Sequence, residues 1–139
     1  MLDKAEIQKI ADEVVGELKS DFEEKVYQEA FLAELRIRGY AYDRERVIPV
    51  LYKDQQVSFV KADVVVRTDA EEVVLELKVG GDEDIKEKIK NELKAYMRAI
   101  RKSQPSMIER KGFVVVFPCT STKKNARPPE KPTVDEVSA

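Results

Sequence analysis

The run Gly-Phe-Val-Val-Val-Phe at residues 112–117 constrains the fold of this chain more than any other feature. A run this short and this apolar is typical of a strand buried on both faces, as when it pairs in parallel with another strand after a crossover helix. Such a helix is predicted just before it, from apolar residues at helical spacing: Ile85, Ile89, Leu93, Tyr96, Met97 and Ile100. The pattern predicts helices packed on a sheet that contains a parallel pair of strands.

Two amphipathic helices are predicted at the start of the chain. Asp3 and Glu6 form a capping-box pattern before the first helix, and Asp21 and Glu24 repeat the pattern before the second. Gly39 supplies a natural C-terminal stop for the second helix. The predicted helices cover residues 3–20 and 22–38.

Three strands are predicted in the middle of the chain. Residues 42–52 and 57–67 are rich in valine, isoleucine and tyrosine and are separated by a polar stretch, which favours an antiparallel pair. Residues 73–79 carry an apolar side chain at every odd position, so this strand has one core face and one charged face. The order α-α-β-β-β-α-β predicts an α/β sandwich.

The size and composition predict one domain followed by a tail. A chain of 139 residues with 42% hydrophobic residues can bury a single core. After residue 118 the composition shifts to Ser, Thr, Lys and Pro without apolar periodicity. We expect a domain over residues 1–118 and a flexible tail over residues 119–139.

Two residue types limit the chemistry. The chain has no histidine, which excludes Ser-His-Asp and Cys-His catalysis and histidine-bound zinc. It has one cysteine, Cys119, so no intramolecular disulfide can form. There is no apolar signal segment and no apolar run long enough to span a membrane, so we expect a soluble intracellular protein without a membrane partner.

Charge is unevenly distributed along the chain. The net charge is −2, yet residues 84–127 hold twelve basic and four acidic residues, so the remainder is acidic. A protein with one phosphate-facing side shows such a distribution, and so does a protein with an ordinary solvated helix face. Both interpretations stay open at this point.

Two carboxylates and a lysine are predicted to meet on neighbouring strands. A two- or four-residue loop centred between Asp69 and Ala70 places Asp63 directly opposite Glu76, with Lys78 two residues further on. Carboxylates at that distance repel each other, so a divalent cation or a salt bridge from Lys78 must compensate. The strand arithmetic does not decide between the two.

These residues carry a family resemblance. Asp63 followed by Glu76-Leu77-Lys78 resembles the D…(D/E)xK signature of the PD-(D/E)XK nuclease superfamily, and the element order resembles its α-β-β-β-α-β core. Residues 21–27 resemble the GxxExxY family motif, with Asp21 in place of the glycine. Residues 92–96 resemble the family's QxxxY element, with Glu92 in place of the glutamine. The resemblance covers roughly residues 20–118.

The resemblance implies a fold, a cofactor and an activity. The fold would be restriction-endonuclease-like, with a central mixed sheet flanked by helices and an extra N-terminal helix. Asp63, Glu76 and the Leu77 backbone carbonyl would bind Mg²⁺, for which Mn²⁺ can substitute. Lys78 would orient or activate the attacking water, and Glu24 would contribute to the metal shell. The reaction would be hydrolysis of phosphodiester bonds, with DNA expected as the substrate in preference to RNA.

Each supporting residue has a structural alternative. Glu24 serves either as a helix cap or at the metal, and Glu92 either faces the site or follows the edge of the core. Tyr27 and Tyr96 are expected to be core aromatics whose hydroxyls reach a polar partner. The residues expected to contact phosphate are Lys61, Lys94 and Arg98.

Two other functions compete with a metal-dependent nuclease. One is a catalytically inactive module that keeps the fold and binds nucleic acid or a protein partner. The other is a homodimer formed through the first helix, whose apolar stripe can exceed what a small core covers.

Overall fold

The computed structural model describes residues 2–19, 22–105, 108–118 and 131–138. They form a mixed five-stranded sheet with strand order β1-β2-β3-β4-β5 and three helices. The elements in chain order are α1 Lys4–Leu18, α2 Glu24–Ile37, β1 Ala41–Tyr52, β2 Gln55–Arg67, β3 Glu71–Val79, α3 Glu83–Ser103, β4 Glu109–Phe117 and β5 Thr133–Val137. The predicted restriction-endonuclease-like α/β class and the order of its first seven elements are confirmed.

The crossover predicted from the apolar run is present. β3 pairs in parallel with β4 after α3, whereas β1–β2, β2–β3 and β4–β5 are antiparallel. β4 is buried on both faces, because Phe113 and Val115 pack in one core cluster and Val114 and Val116 in the other. The sheet therefore separates a core against α1 and α2 from a core against α3.

The helix ends differ in part from the capping predictions. Asp3 caps α1 by accepting from the Glu6 N–H at 2.9 Å, and Gly39 follows α2 with φ of 83°. The predicted second capping box is wrong about Glu24, since α2 has Glu23 as its N-cap, with no side-chain cap hydrogen bond. Asp21 lies outside the described residues.

The predicted flexible tail is wrong for its last part. β5 pairs antiparallel with β4, and Val134 and Val137 are each 4% exposed. Gln8 on α1 holds the start of this segment by donating to the Pro132 carbonyl at 2.8 Å. Residues 119–130 lie outside the described part of the chain.

A buried ionic cluster joins the sheet to the end of α3. Glu72 accepts from Arg46 at 2.8 Å and from Arg110 at 2.9 Å. Both arginines also reach Gln104, which follows α3. This cluster was not predicted, and it lies at the start of β3, four residues before Glu76.

None of the helices in the described ranges is long and apolar enough to cross a membrane.

Candidate active site

The β2–β3 register brings Asp63 and Glu76 to the same point. The pairs Val64↔Leu75, Val65↔Val74 and Val66↔Val73 follow the register predicted from the loop length. The ladder ends at Val64↔Leu75, and Asp63 and Glu76 are the next residues on the two strands.

Side chains replace the backbone ladder where it ends. The Leu77 N–H donates to Asp63 Oδ2 at 3.0 Å, and the Asp63 N–H donates to Glu76 Oε1 at 3.2 Å. The structure thus brings Asp63 and Glu76 together, as the register predicts.

Burial and repulsion act strongly on Glu76. Burial of its carboxyl and the negative charge of Asp63 raise the pKa of Glu76 to about 8, and the charge of Glu92 on α3 adds to the effect. A carboxyl held in this way takes up a proton or a cation at neutral pH.

β2 and β3 no longer pair beyond Val64↔Leu75, which leaves backbone groups of β3 without a strand partner. The Gly80 N–H donates to the Phe117 carbonyl of β4 at 2.9 Å, so even-numbered residues of β3 direct their backbone groups toward β4. Odd-numbered residues therefore face the side of β2, but Leu77 and Val79 lie past the last pair of the β2–β3 ladder. Their polar groups need partners from elsewhere.

The first turns of α2 supply those partners. Glu24 Oε2 accepts from the Val79 N–H at 3.3 Å, and Gln28 Nε2 donates to the Leu77 carbonyl at 3.1 Å. Gln28 Nε2 also lies 3.1 Å from Glu24 Oε1. Glu24 and Gln28 are four residues apart on one helix face, so a single face completes this edge of β3.

Lys78 is held by Glu24 rather than by the carboxylate pair. Its Nζ lies 3.5 Å from Glu24 Oε1, and its side chain is 43% exposed. Among the described residues, Lys78 forms an ion pair with Glu24 and with no other carboxylate. The alternative in which Lys78 compensates Asp63 and Glu76 by a salt bridge is therefore not what the structure has.

The donor set fits a hard divalent cation. Asp63 and Glu76 offer carboxylate oxygens. Leu77, which follows Glu76 on β3, offers a backbone carbonyl. Mg²⁺ is usually bound by one or two carboxylates, with waters and substrate phosphates completing its shell. Over the described ranges, no group of three or more Asp, Glu, Cys or His side chains could hold a metal. A metal at Asp63 and Glu76 would therefore need the Leu77 backbone carbonyl as a further protein ligand.

The supporting residues divide into near and distant ones. Glu92 is exposed on α3, beside an open cavity of about 590 Å³, and its charge reaches Glu76. The Tyr27 hydroxyl donates to the Lys19 carbonyl at 2.9 Å, while its ring stacks on Phe117. Tyr27 is thus a core aromatic with a satisfied hydroxyl, as predicted.

Tyr96 is a core aromatic on the α3 side of the sheet. Burial raises the pKa of its hydroxyl to about 12, and the charges that act on it are those of Arg46, Glu72, Arg110 and Asp43. Its hydroxyl has no hydrogen-bond partner within the described part of the chain, so the prediction of a polar partner is not borne out there.

The residues predicted to contact phosphate lie on two elements. Lys61 on β2 pairs with Glu45 at 3.8 Å, and its side chain is 52% exposed. Arg98 is exposed on α3 and Lys94 is half-buried there. Their role in binding nucleic acid stays a prediction.

Gln28 is a site residue that the sequence analysis missed. Its position four residues after Glu24 was the available signal, because that spacing puts both side chains on one helix face. The spacing alone could not indicate that the face meets Leu77, 49 residues away in the chain.

Comparison with known proteins agrees with the geometry. A family model described as the PD-(D/E)XK nuclease superfamily matches residues 3–126. No curated protein matches the chain. The crystal structure of SSO0001 superimposes with a TM-score of 0.46 at 16% sequence identity, over 94% of this chain and 65% of that one. The chain thus spans just under two thirds of that protein's length. The family match shows that this chain belongs to the PD-(D/E)XK nuclease superfamily.

Proposed function

We propose that this chain is a Mg²⁺-dependent nuclease that hydrolyses phosphodiester bonds, with DNA rather than RNA as its preferred substrate. The observation that carries the proposal is the contact between Asp63 and Glu76, beside the Leu77 carbonyl at the end of the β2–β3 ladder. Two crowded carboxyl groups are costly unless a cation neutralises them. PD-(D/E)XK nucleases generally use divalent metal ions, which supports a cation here.

The proposed roles of the site residues are metal binding and positioning of the attacking water. Asp63, Glu76 and the Leu77 carbonyl would hold Mg²⁺, with Mn²⁺ as a substitute. When bound, the ion supplies positive charge for phosphate oxygens and lowers the pKa of water. Lys78 would donate a hydrogen bond to the attacking water, and Glu24 holds the Lys78 ammonium beside the Leu77–Val79 segment.

Glu24 supports the narrower resemblance to the GxxExxY family. It occupies the glutamate position of that motif and contacts both Lys78 and the Val79 N–H. Its proposed role is to position Lys78, in place of the capping role. Membership of the GxxExxY family stays a prediction.

The first prediction concerns cleavage. Glu76→Gln and Lys78→Met should each lower Mg²⁺-dependent cleavage about 100-fold or more, because one removes a ligand charge and the other the ammonium donor. The assay follows single-stranded, duplex and branched DNA and RNA with Mg²⁺, Mn²⁺ or EDTA. Glu83→Gln is the matched control, because the Glu83 side chain is exposed at the start of α3, and this variant should cleave like the wild type. Full cleavage by Glu76→Gln, or in EDTA, would contradict the proposal.

The second prediction concerns the basic side of α3. Lys94→Glu and Arg98→Glu should weaken binding of catalytically inactive Glu76→Gln protein to DNA, because phosphate contacts release counterions. Each lost contact should lower the slope of log affinity against log salt by about 0.7–0.9. Lys9→Glu, exposed on α1, is the control and should bind as before. Unchanged binding in both α3 variants would show that this charge is only a solvated face.

A non-catalytic binding module is the second candidate. The charge of Glu92 favours it, because it adds to the repulsion on Glu76 and stands where the QxxxY element has a neutral glutamine. Binding of DNA or RNA without cleavage in either ion would support this candidate. A partner protein or a second copy of the chain would then be sought as the ligand.

A further inference from the structure

The Leu77 carbonyl has a partner that holds it in place. It belongs to a residue whose backbone groups face β2 beyond the end of the ladder. The Leu77 N–H is taken by Asp63, and the carbonyl accepts from Gln28 Nε2 at 3.1 Å. A carbonyl oxygen has two lone pairs, so one stays available for a second partner.

The orientation of the Gln28 amide follows from its neighbours. Its Nε2 faces two acceptors, the Leu77 carbonyl and Glu24 Oε1, each at 3.1 Å. A flipped amide would direct its oxygen at both acceptors and lose both hydrogen bonds. Glu24 is itself fixed by Lys78 and the Val79 N–H. Gln28 thus links the Lys78 side of the site to the Leu77 carbonyl.

We infer that Gln28 is a positioning residue for the cation site, which holds the Leu77 carbonyl in the orientation that a Mg²⁺ ion needs. This inference rests on the proposed function. Mg²⁺ demands near-ideal octahedral geometry, so a ligand that rotates freely binds it less well. Hydrogen bonds that orient metal ligands are typically worth about 10–100-fold in metal affinity or activity.

The chain offers a matched control in Gln8. Its Nε2 also donates to a carboxylate four residues away, Asp12 at 3.0 Å, and to a distant backbone carbonyl, that of Pro132 at 2.8 Å. Gln8 lies on α1 and ties down the start of β5, away from Leu77. Methionine replaces glutamine at nearly equal length and helix propensity but removes the donor.

The test is titration of the wild type, Gln28→Met and Gln8→Met with MgCl₂ alone, by calorimetry and by thermal melting from an EDTA baseline. We expect Gln28→Met to bind Mg²⁺ about 10-fold more weakly or worse. Gln8→Met should bind like the wild type, and the EDTA melts of both variants show whether they fold alike. In the cleavage assay the Mg²⁺ requirement of Gln28→Met should rise by the same factor.

The outcomes separate the inference from the proposed function. A wild type that binds Mg²⁺ together with a Gln28→Met variant of equal or higher affinity would overturn the role of Gln28 and leave the proposed function standing. Equal weakening in both methionine variants would also overturn it, since the effect would then follow stability. A wild type that binds no Mg²⁺ would overturn the proposed function, and the inference with it.

Discussion

Replacing Glu72 by glutamine is expected to lower the free energy of unfolding by about 3 kcal/mol, because two mostly buried arginines would lose their carboxylate. The side chains of Glu72, Arg46 and Arg110 are 11%, 20% and 13% exposed. Solvent therefore compensates only in part for the lost charge. Such a loss should lower the melting temperature by about 10 °C or more.

The pH dependence of this effect has a definite sign. Burial alone would raise the pKa of the Glu72 carboxyl, but hydrogen bonds from Arg46 and Arg110 outweigh it and hold the pKa below its ordinary value. A lowered pKa in the folded state stabilises the protein above the unfolded pKa, and this contribution is lost as pH falls through the folded value. Glu72→Gln should therefore differ most from the wild type at neutral pH and approach it in acid.

An exposed ion pair provides the control. Glu29 pairs with Arg44 across the surface, with side chains 39% and 52% exposed. Glu29→Gln should change stability by less than about 1 kcal/mol. Urea unfolding of both variants at neutral and acid pH makes the comparison. Equal small losses in the two variants would show that the Glu72 cluster adds no more than a surface pair.

The sequence predicted features that depend on local spacing. The Asp63–Glu76 contact follows from the length of one hairpin loop, and the parallel β4 strand from one apolar run after a helix. In both cases the residues that decide the outcome lie within one hairpin or one crossover unit. The spacing of apolar residues and the length of the connecting loop are therefore sufficient to predict these two features.

Features that depend on distant partners were missed. Glu72 lies 26 residues from Arg46 and 38 from Arg110, and nothing in the local pattern joins them. β5 was missed because Val134 packs against the α1–α2 side and Val137 against the α3 side. Buried residues on opposite faces give the segment no face with a regular apolar period. Alternation along the strand predicts that Lys78 lies beside the carboxylate pair, but it could not indicate that Lys78 pairs with Glu24 from α2.

The second large effect concerns Asp63→Asn in metal-free buffer. The asparagine keeps an oxygen for the Leu77 N–H and removes the charge that repels Glu76. At about pH 8 or above, the variant should melt about 3 °C higher than the wild type, the equivalent of about 1 kcal/mol. Calorimetric melts in EDTA measure the difference.

The difference should grow as pH rises. The pKa of Glu76 is raised to about 8 by burial and by Asp63, from an ordinary value of 4.5. A raised pKa in the folded state contributes stability that is complete below the unfolded pKa and is lost as pH rises through the folded one. In Asp63→Asn only burial and the charge of Glu92 still raise the pKa of Glu76, so less stability is lost. The two proteins should therefore converge near about pH 5, where Glu76 is mostly protonated in both.

The most direct test of the cation site is the melting temperature of the wild type and Asp63→Asn, each in EDTA and in saturating Mg²⁺, at about pH 8. A ligand that binds only the folded state stabilises it by about 2.7 kcal/mol at one hundred times its dissociation constant. We predict that Mg²⁺ raises the melting temperature of the wild type and leaves that of the variant unchanged. A wild type that does not respond to Mg²⁺, together with a variant that melts far below it in EDTA, would contradict a cation site at Asp63 and Glu76.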